Sequence, residues 1–221
     1  HKLGNLRTLP VGIEKETLEV STIDIQSTNM FCITGDDISA HPKFVYALAK
    51  NILEVPNTQV VILDALKIFE DITISDERIT YGMGNCGDAV NKLTKMFEEK
   101  TTNNNTDELV GFIIGINSLL SKVTDIEKTQ LVAMFNKLSS VDTARIFIVD
   151  NIDAIKGLNY ESWFKTNVDL SEGIWLGNGI SNQFTLKVTT NSRTLRVEIT
   201  DEFGYTIKKG KASMIKLMSD E

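Results

Sequence analysis

A glycine, four residues, a second glycine, a lysine and a hydroxyl residue make the loop that grips a phosphate chain. Backbone N–H groups surround the oxygens, the ammonium neutralises them and the hydroxyl holds magnesium. Starting at Gly35, this sequence offers Gly35-Asp36-Asp37-Ile38-Ser39-Ala40-His41-Pro42 in the same frame. The spacing is kept and the chemistry is replaced. Ala40 stands for the second glycine, His41 for the lysine and Pro42 for the hydroxyl. A neutral imidazole brings no reliable charge to a triphosphate at pH 7. Pro42 lacks both a hydroxyl and an N–H. Asp36 and Asp37 add two carboxylates, and at roughly 4–6 Å and an effective dielectric near 20 each would repel a phosphate charge by ~3–4 kcal/mol before screening. Lys43 is one residue late, and one residue turns a helix by about 100°.

A nucleotide hydrolase also needs an aspartate at the end of a buried strand for magnesium, usually with a glutamate beside it for water. After Phe112-Ile113-Ile114 come Gly115-Ile116 or, in the next register, Asn117-Ser118. Neither register supplies an acid, and the next one is Asp125. No catalytic residue is therefore assigned, and neither a cofactor nor a metal is expected. ATP and magnesium enter only under the alternative that a divergent loop still binds nucleotide.

The other chemistry-bearing patterns have plain structural readings. Gly82-x-Gly84-x-x-Gly87 matches a dinucleotide fingerprint, but Ile79 and Tyr81 are a thin apolar supply for the strand it needs. The ribose acid should close the next strand, and Asp107-Glu108 open it instead. The pattern reads as a turn closing onto a helix. Cys32 sits in an apolar strand run and reads as core rather than as a nucleophile paired with His41. No His/Cys cluster has ligand spacing. Asp150 and Asp153 follow a strand, where open α/β sheets place functional groups, but they read more simply as a helix cap or turn. Trp163 and Phe164 lie on a short helix. They are core by default and partner contacts if their rings face outward.

Buried strands and helices must position these residues. Asn29–Thr34, Val60–Asp64, Leu109–Ile116, Arg145–Asp150 and Gly173–Gly177 are apolar runs of the kind that parallel sheets bury on both faces. Helical spacing marks a segment from Pro42 through Ile52, another over Asp88–Glu99, and a third over 124–139 with Ile126, Leu131, Met134, Phe135 and Leu138 inward. Thr101–Thr106 reads as a polar loop. Residues 10–25 hold two short strands. Strands alternating with helices predict an α/β fold with a mostly parallel sheet flanked by helices. The last forty residues predict four short strands, Phe184–Thr189, Leu195–Ile199, Gly204–Ile207 and Met214–Leu217, as an antiparallel tail on the sheet's edge. The chain reads as a single domain over 1–221, with an α/β core at 8–183 and the antiparallel edge strands at 184–221.

Composition narrows the classes. With 221 residues, 42% hydrophobic, 24% charged and two Cys, this is an ordinary globular chain rather than a disordered or disulfide-stapled one. Acids outnumber bases 30 to 23, giving net charge −7. That argues against nucleic acid as a partner. No apolar run approaches the ~20 residues of a membrane span. The chain opens on His1 rather than Met, which suggests a piece of a longer protein.

Several features together resemble the FtsK/SpoIIIE branch of P-loop ATPases. They are Leu9-Pro10-Val11-Gly12-Ile13-Glu14-Lys15, the Met30–Gly35 strand, and Ile62-Leu63-Asp64. The sequence from Gly173-Ile174-Trp175-Leu176-Gly177 through Gln183, Gly204-Tyr205, Gly210 and Ile215-Lys216 is similar to the end of the last ATPase-like domain of type VII secretion motors, over about residues 8–218. The resemblance implies a P-loop NTPase (RecA/FtsK-like) fold and a soluble module at the cytoplasmic face of the cell membrane. It implies upstream ATPase domains in the same chain and exported WXG100-type proteins as partners. It also implies a terminal domain degenerate as an ATPase that recognises substrates or regulates the upstream domains. Under it, Gly35–Pro42 is the degenerate nucleotide loop, and Gly115 and Asn117 mark the degenerate strand-end acid position (Walker B). A purely structural cap on a ring of motor domains is a third expectation.

Overall fold

A computed structural model of the chain describes residues 7–103 and 105–220. In chain order the elements are β1 (Thr8–Glu14), β2 (Val20–Asp24), β3 (Met30–Gly35), α1 (Pro42–Leu53), β4 (Thr58–Asp64), β5 (Ile79–Met83), α2 (Gly87–Asn103), β6 (Glu108–Ile114), α3 (Ile116–Lys122), α4 (Asp125–Lys137), β7 (Ala144–Asn151), α5 (Ile152–Leu158), α6 (Ser162–Asn167), β8 (Val168–Leu176), α7 (Ser192–Leu195), β9 (Phe203–Lys208) and β10 (Lys211–Leu217). Among the described residues the strands form one sheet in the order β2-β1-β10-β9-β8-β3-β7-β6-β4-β5. The six from β8 to β5 are parallel, and the other four run antiparallel to their neighbours.

Alternate residues of the central strands feed two cores. Phe31 and Ile33 of β3, with Phe147 and Val149 of β7, pack under Phe44, Val45, Leu48 and Ile52 of α1. Met30 and Cys32, with Ile146 and Ile148, pack under helices α2 to α6. Strands buried at every position, as β3 and β6 are, must be largely apolar, and Thr34 and Glu108 are their polar exceptions. Stacked Phe112 and Phe147, 4.8 Å between ring centres, fill the first core. A third cluster, around Trp175, Leu186, Leu195, Tyr205 and Ile207, lies under the C-terminal segment.

The fold corrects five expectations. The C-terminal tail is not at the edge: β9 and β10 are antiparallel, but they lie between β8 and the N-terminal hairpin, and β2 and β5 are the edges. Phe184–Thr189 and Leu195–Ile199 are not strands; only α7 interrupts an irregular path there. That path is held by single anchors, Leu186 and Leu195, rather than by a ladder. Ile126 is 72% exposed, because it lies five residues before Leu131 and so about 140° around α4 from the buried stripe. The Thr101–Thr106 loop begins later than predicted, since α2 runs on to Asn103; Asn104 lies outside the described residues. Finally, Ile79–Met83 is a strand, half-buried at the sheet's edge, so its apolar content was thin.

Candidate functional site

The carboxyl ends of β3, β6 and β7 and the loop Gly35–Pro42 meet at the crevice where open α/β sheets bind ligands. The loop's backbone donors are turned inward. Ile38 N–H donates to Asn151 Oδ1 at 2.8 Å, and Ser39 N–H to Asp37 Oδ1 at 3.0 Å. His41 N–H donates to the Ile38 carbonyl at 3.1 Å, closing a 3-10 turn over Ile38–Ala40. Asp37 also accepts from Ser39 Oγ. Pro42 is the first residue of α1, as its fixed φ favours, and has no N–H to offer. A phosphate cradle requires these N–H groups to converge on an anion, and three of them already have acceptors in the protein. Asp36 packs its carboxylate against Gly179, whose positive φ and missing Cβ leave it room. Ala40 and Lys43 are exposed.

His41 is buried, with its ring over Gly177 at 3.2 Å from where a Cβ would stand. Its Nε2 lies 3.9 Å from Asp201 Oδ1, which is exposed. Burial pushes the imidazole pKa below its ordinary value, against the opposing pull of Asp201 and Asp37. The residue standing for the phosphate lysine is therefore neutral at pH 7 and shielded. Beside it, α1 borders a cleft of 810 Å³ lined by Ala40–Phe44, Thr200–Glu202 and Lys216–Ser219.

The strand-end positions are equally committed. Gly115 stands at the end of β6 with φ +81°, and the Leu66 side chain occupies the space of its missing Cβ. Asn117 is exposed in the first turn of α3, so the second register does not fall at the strand end. Buried Asp150 accepts from Ile116 N–H at 3.1 Å and Asn151 N–H at 2.8 Å, which ties the start of α3 to the end of β7. Burial raises its pKa to about 6, against the lowering effect of those two bonds. Asp153 lies exposed in the first turn of α5. Asp64, fully buried at the end of β4, caps Ile68 and Phe69 N–H at 3.0 Å each and accepts from Tyr81 Oη at 3.2 Å.

Three expectations placed elsewhere are settled by burial and packing. Trp163 and Phe164 are 3% and 1% exposed, with Trp163 stacked on Phe135 at 4.7 Å. They are core, and the expectation of partner contacts through their rings is corrected. Cys32 is fully buried, its thiol pushed up to about 12. The Gly82–Gly87 turn does join a strand to a helix, but its glycines serve packing. A Cβ at Gly82 would meet Ala89 Cβ at 2.8 Å, and Gly87 lies against the Glu127 carboxylate that also caps α4. No signal in the sequence pointed to Asn151, Leu66, Gly179 or Asp201, because each acts through contacts distant along the chain.

No protein-family model matches the chain, and no curated protein matches it. Solved structures do. ATPases 2 and 3 of EssC from Geobacillus thermodenitrificans superpose with a TM-score of 0.72 at 14% identity, covering 97% of this chain and 41% of that one. ATPases 2 and 3 of EccC from Thermomonospora curvata, solved in complex with a signal sequence peptide, give 0.69 at 14% identity, with 97% and 41% covered. The cytoplasmic domain of EssC gives 0.68 at 14% identity, with 98% and 43% covered. The chain has the fold of these ATPase domains. It spans about two fifths of the length of the chains it matches. Among the described residues, no helix is long and apolar enough to cross a membrane.

Proposed function

We propose that this chain is an ATPase-fold module of a type VII secretion motor that works without nucleotide. It would stand at the cytoplasmic face of the membrane, follow catalytic ATPase domains in a longer chain, and recognise exported WXG100-type proteins or regulate its neighbours. One observation carries the reading. The loop that should cradle phosphate spends three of its N–H groups on Asn151, Asp37 and Ile38, carries two carboxylates, and buries a neutral His41. The shared fold with EssC and EccC motor domains, one of them solved with a signal sequence peptide, supports the placement in a secretion motor.

Isothermal titration with Mg-ATP tests it. The reading predicts no binding below the millimolar range and no phosphate release. Micromolar binding weakened by Asp36→Ala or Gly35→Ala would overturn it and favour the alternative, a divergent nucleotide site. That alternative draws on the open cleft beside α1, where Lys43 and Lys216 offer positive charge.

A further inference from the structure

A second cleft, of 730 Å³, lies between α5, α6, the start of β8 and the irregular segment at 184–187. Its accessible apolar floor is half-buried Val168 and Leu170, with the core residue Phe164 beneath them. One wall is Phe184, which is 93% exposed, and Tyr160, next to the lining residue Asn159, is 89% exposed. An aromatic ring held in water on the wall of an apolar cleft, as Phe184 is, is the kind of anchor that protein interfaces favour. The rim is cationic. Lys156, Lys165 and Lys187 line the cleft with one carboxylate, Asp169, so the local balance is three positive charges against one negative in a chain of net charge −7. Asp169 is already engaged by Ser171, through its N–H at 2.9 Å and Oγ at 2.7 Å, which with a lesser pull from Lys187 holds its carboxyl below the usual range. The ion pairs among the described residues are His41–Asp201, Lys50–Asp220 and Arg78–Asp76, and none uses these lysines.

The backbone here is not free to add a strand. The Leu170 carbonyl accepts from Lys187 N–H and the Ser171 carbonyl from Gly210 N–H. Recognition must therefore run through side chains. We infer that this cleft takes a short acidic peptide segment, with one or two bulky apolar side chains seated between Phe184 and the floor and flanking carboxylates on Lys156, Lys165 and Lys187. The inference rests on the reading of the chain as a protein-recognition module and gives that module its binding face. A nucleic acid would demand a longer basic track than three lysines on an acidic chain.

The test uses the full chain and a fluorescein-labelled 15-residue peptide with four Glu and two Phe. Two further versions are needed, one with Gln for Glu and one with Ala for Phe. Saturable binding to the acidic aromatic peptide is expected, weakening with salt. The double variant K165E/K187E should lower affinity about tenfold, the size expected when two surface charge pairs are reversed, and F184A about fivefold. K128E, a charge reversal on α4, should leave affinity unchanged. All altered side chains are exposed, and a thermal melt by circular dichroism confirms folding. Equal affinity for the Gln peptide, indifference to K165E/K187E, or no saturation at millimolar peptide overturns the inference. So does tighter, lysine-dependent binding of a 20-nucleotide single strand or of phosphatidylglycerol vesicles. Mg-ATP titrated into the same preparation keeps the two proposals apart. Nucleotide binding with peptide binding intact overturns only the nucleotide-free reading, and the converse overturns only the cleft.

Discussion

Replacing Gly115 tests how firmly the strand-end acid position is closed. Gly115 has φ +81° and ψ 66°, where an L side chain costs about 1–2 kcal/mol in the backbone alone. A Cβ there would also meet Leu66 Cδ2 at 2.8 Å and Cδ1 at 3.0 Å, so Leu66 must swing away. Leu66 is 38% exposed and gives up part of the ~1.5–3 kcal/mol that a buried leucine contributes, about 1 kcal/mol. Gly115→Ala should therefore destabilise by about 2–3 kcal/mol, read as a lower urea midpoint at unchanged slope. Leu66→Ala removes the obstacle, so the double variant should cost about 1 kcal/mol less than the sum of the singles. Gly115→Asp restores the acid in name only. It should destabilise at least as much, since the new carboxylate joins a strand end that already holds Asp150, and it should confer no phosphate release. A Gly115→Ala stability within 0.5 kcal/mol of the parent, or strict additivity with Leu66→Ala, refutes the reasoning.

Three further outcomes follow from the same geometry. Asn151→Ala strips the Ile38 N–H of its acceptor in a buried turn and should cost about 1–3 kcal/mol, with faster hydrogen exchange at Ile38 than at its neighbours. His41 and Asp150 should pull stability in opposite directions in acid. The depressed His41 pKa means the unfolded chain takes that proton first, so stability falls as pH drops below about 6.5. Asp150, raised to about 6 from an ordinary 3.8, takes its proton first in the folded state, so its contribution rises by about 2 kcal/mol as pH drops from 7 to 4. Asp150→Asn should unmask the His41 slope, and a carboxyl NMR titration should place the Asp150 midpoint near 6. Trp163→Ala should destabilise by about 3–5 kcal/mol while Phe184→Ala changes stability by under about 0.5 kcal/mol, which thermal or urea unfolding would reverse if the burial assignments were exchanged.

The parallel core was legible because β3, β4, β6 and β7 are buried on both faces, and continuous apolar runs announce that without any partner. β5 was not, since an edge strand with mixed burial needs few apolar residues. The segment 184–200 misled because Phe184, Leu186 and Val188, and then Leu195, Val197 and Ile199, alternate with polar residues as a strand does, although only Leu186 and Leu195 of these are buried. In the structure Gln183 bonds the Leu186 N–H and carbonyl locally instead of leaving them to a ladder. Of the candidate site, the lost charges at Ala40, His41 and Pro42 were plain from the spacing. What fills the space they left was not. Asn151 reaches Ile38 across 113 positions, and Leu66 covers Gly115 from a loop with no pattern of its own. Side chains that meet only through the sheet's topology leave no periodic trace in one sequence.

Three of the loop's N–H groups, those of Ile38, Ser39 and His41, are already spent inside the protein. Amide ¹H–¹⁵N spectra of the chain with rising Mg-ATP read those groups directly. The account predicts Gly35–His41 resonances that do not move up to millimolar nucleotide, with Ile38 protected from exchange throughout. Saturable shifts of those amides at micromolar nucleotide, with Ile38 released from Asn151, would contradict it.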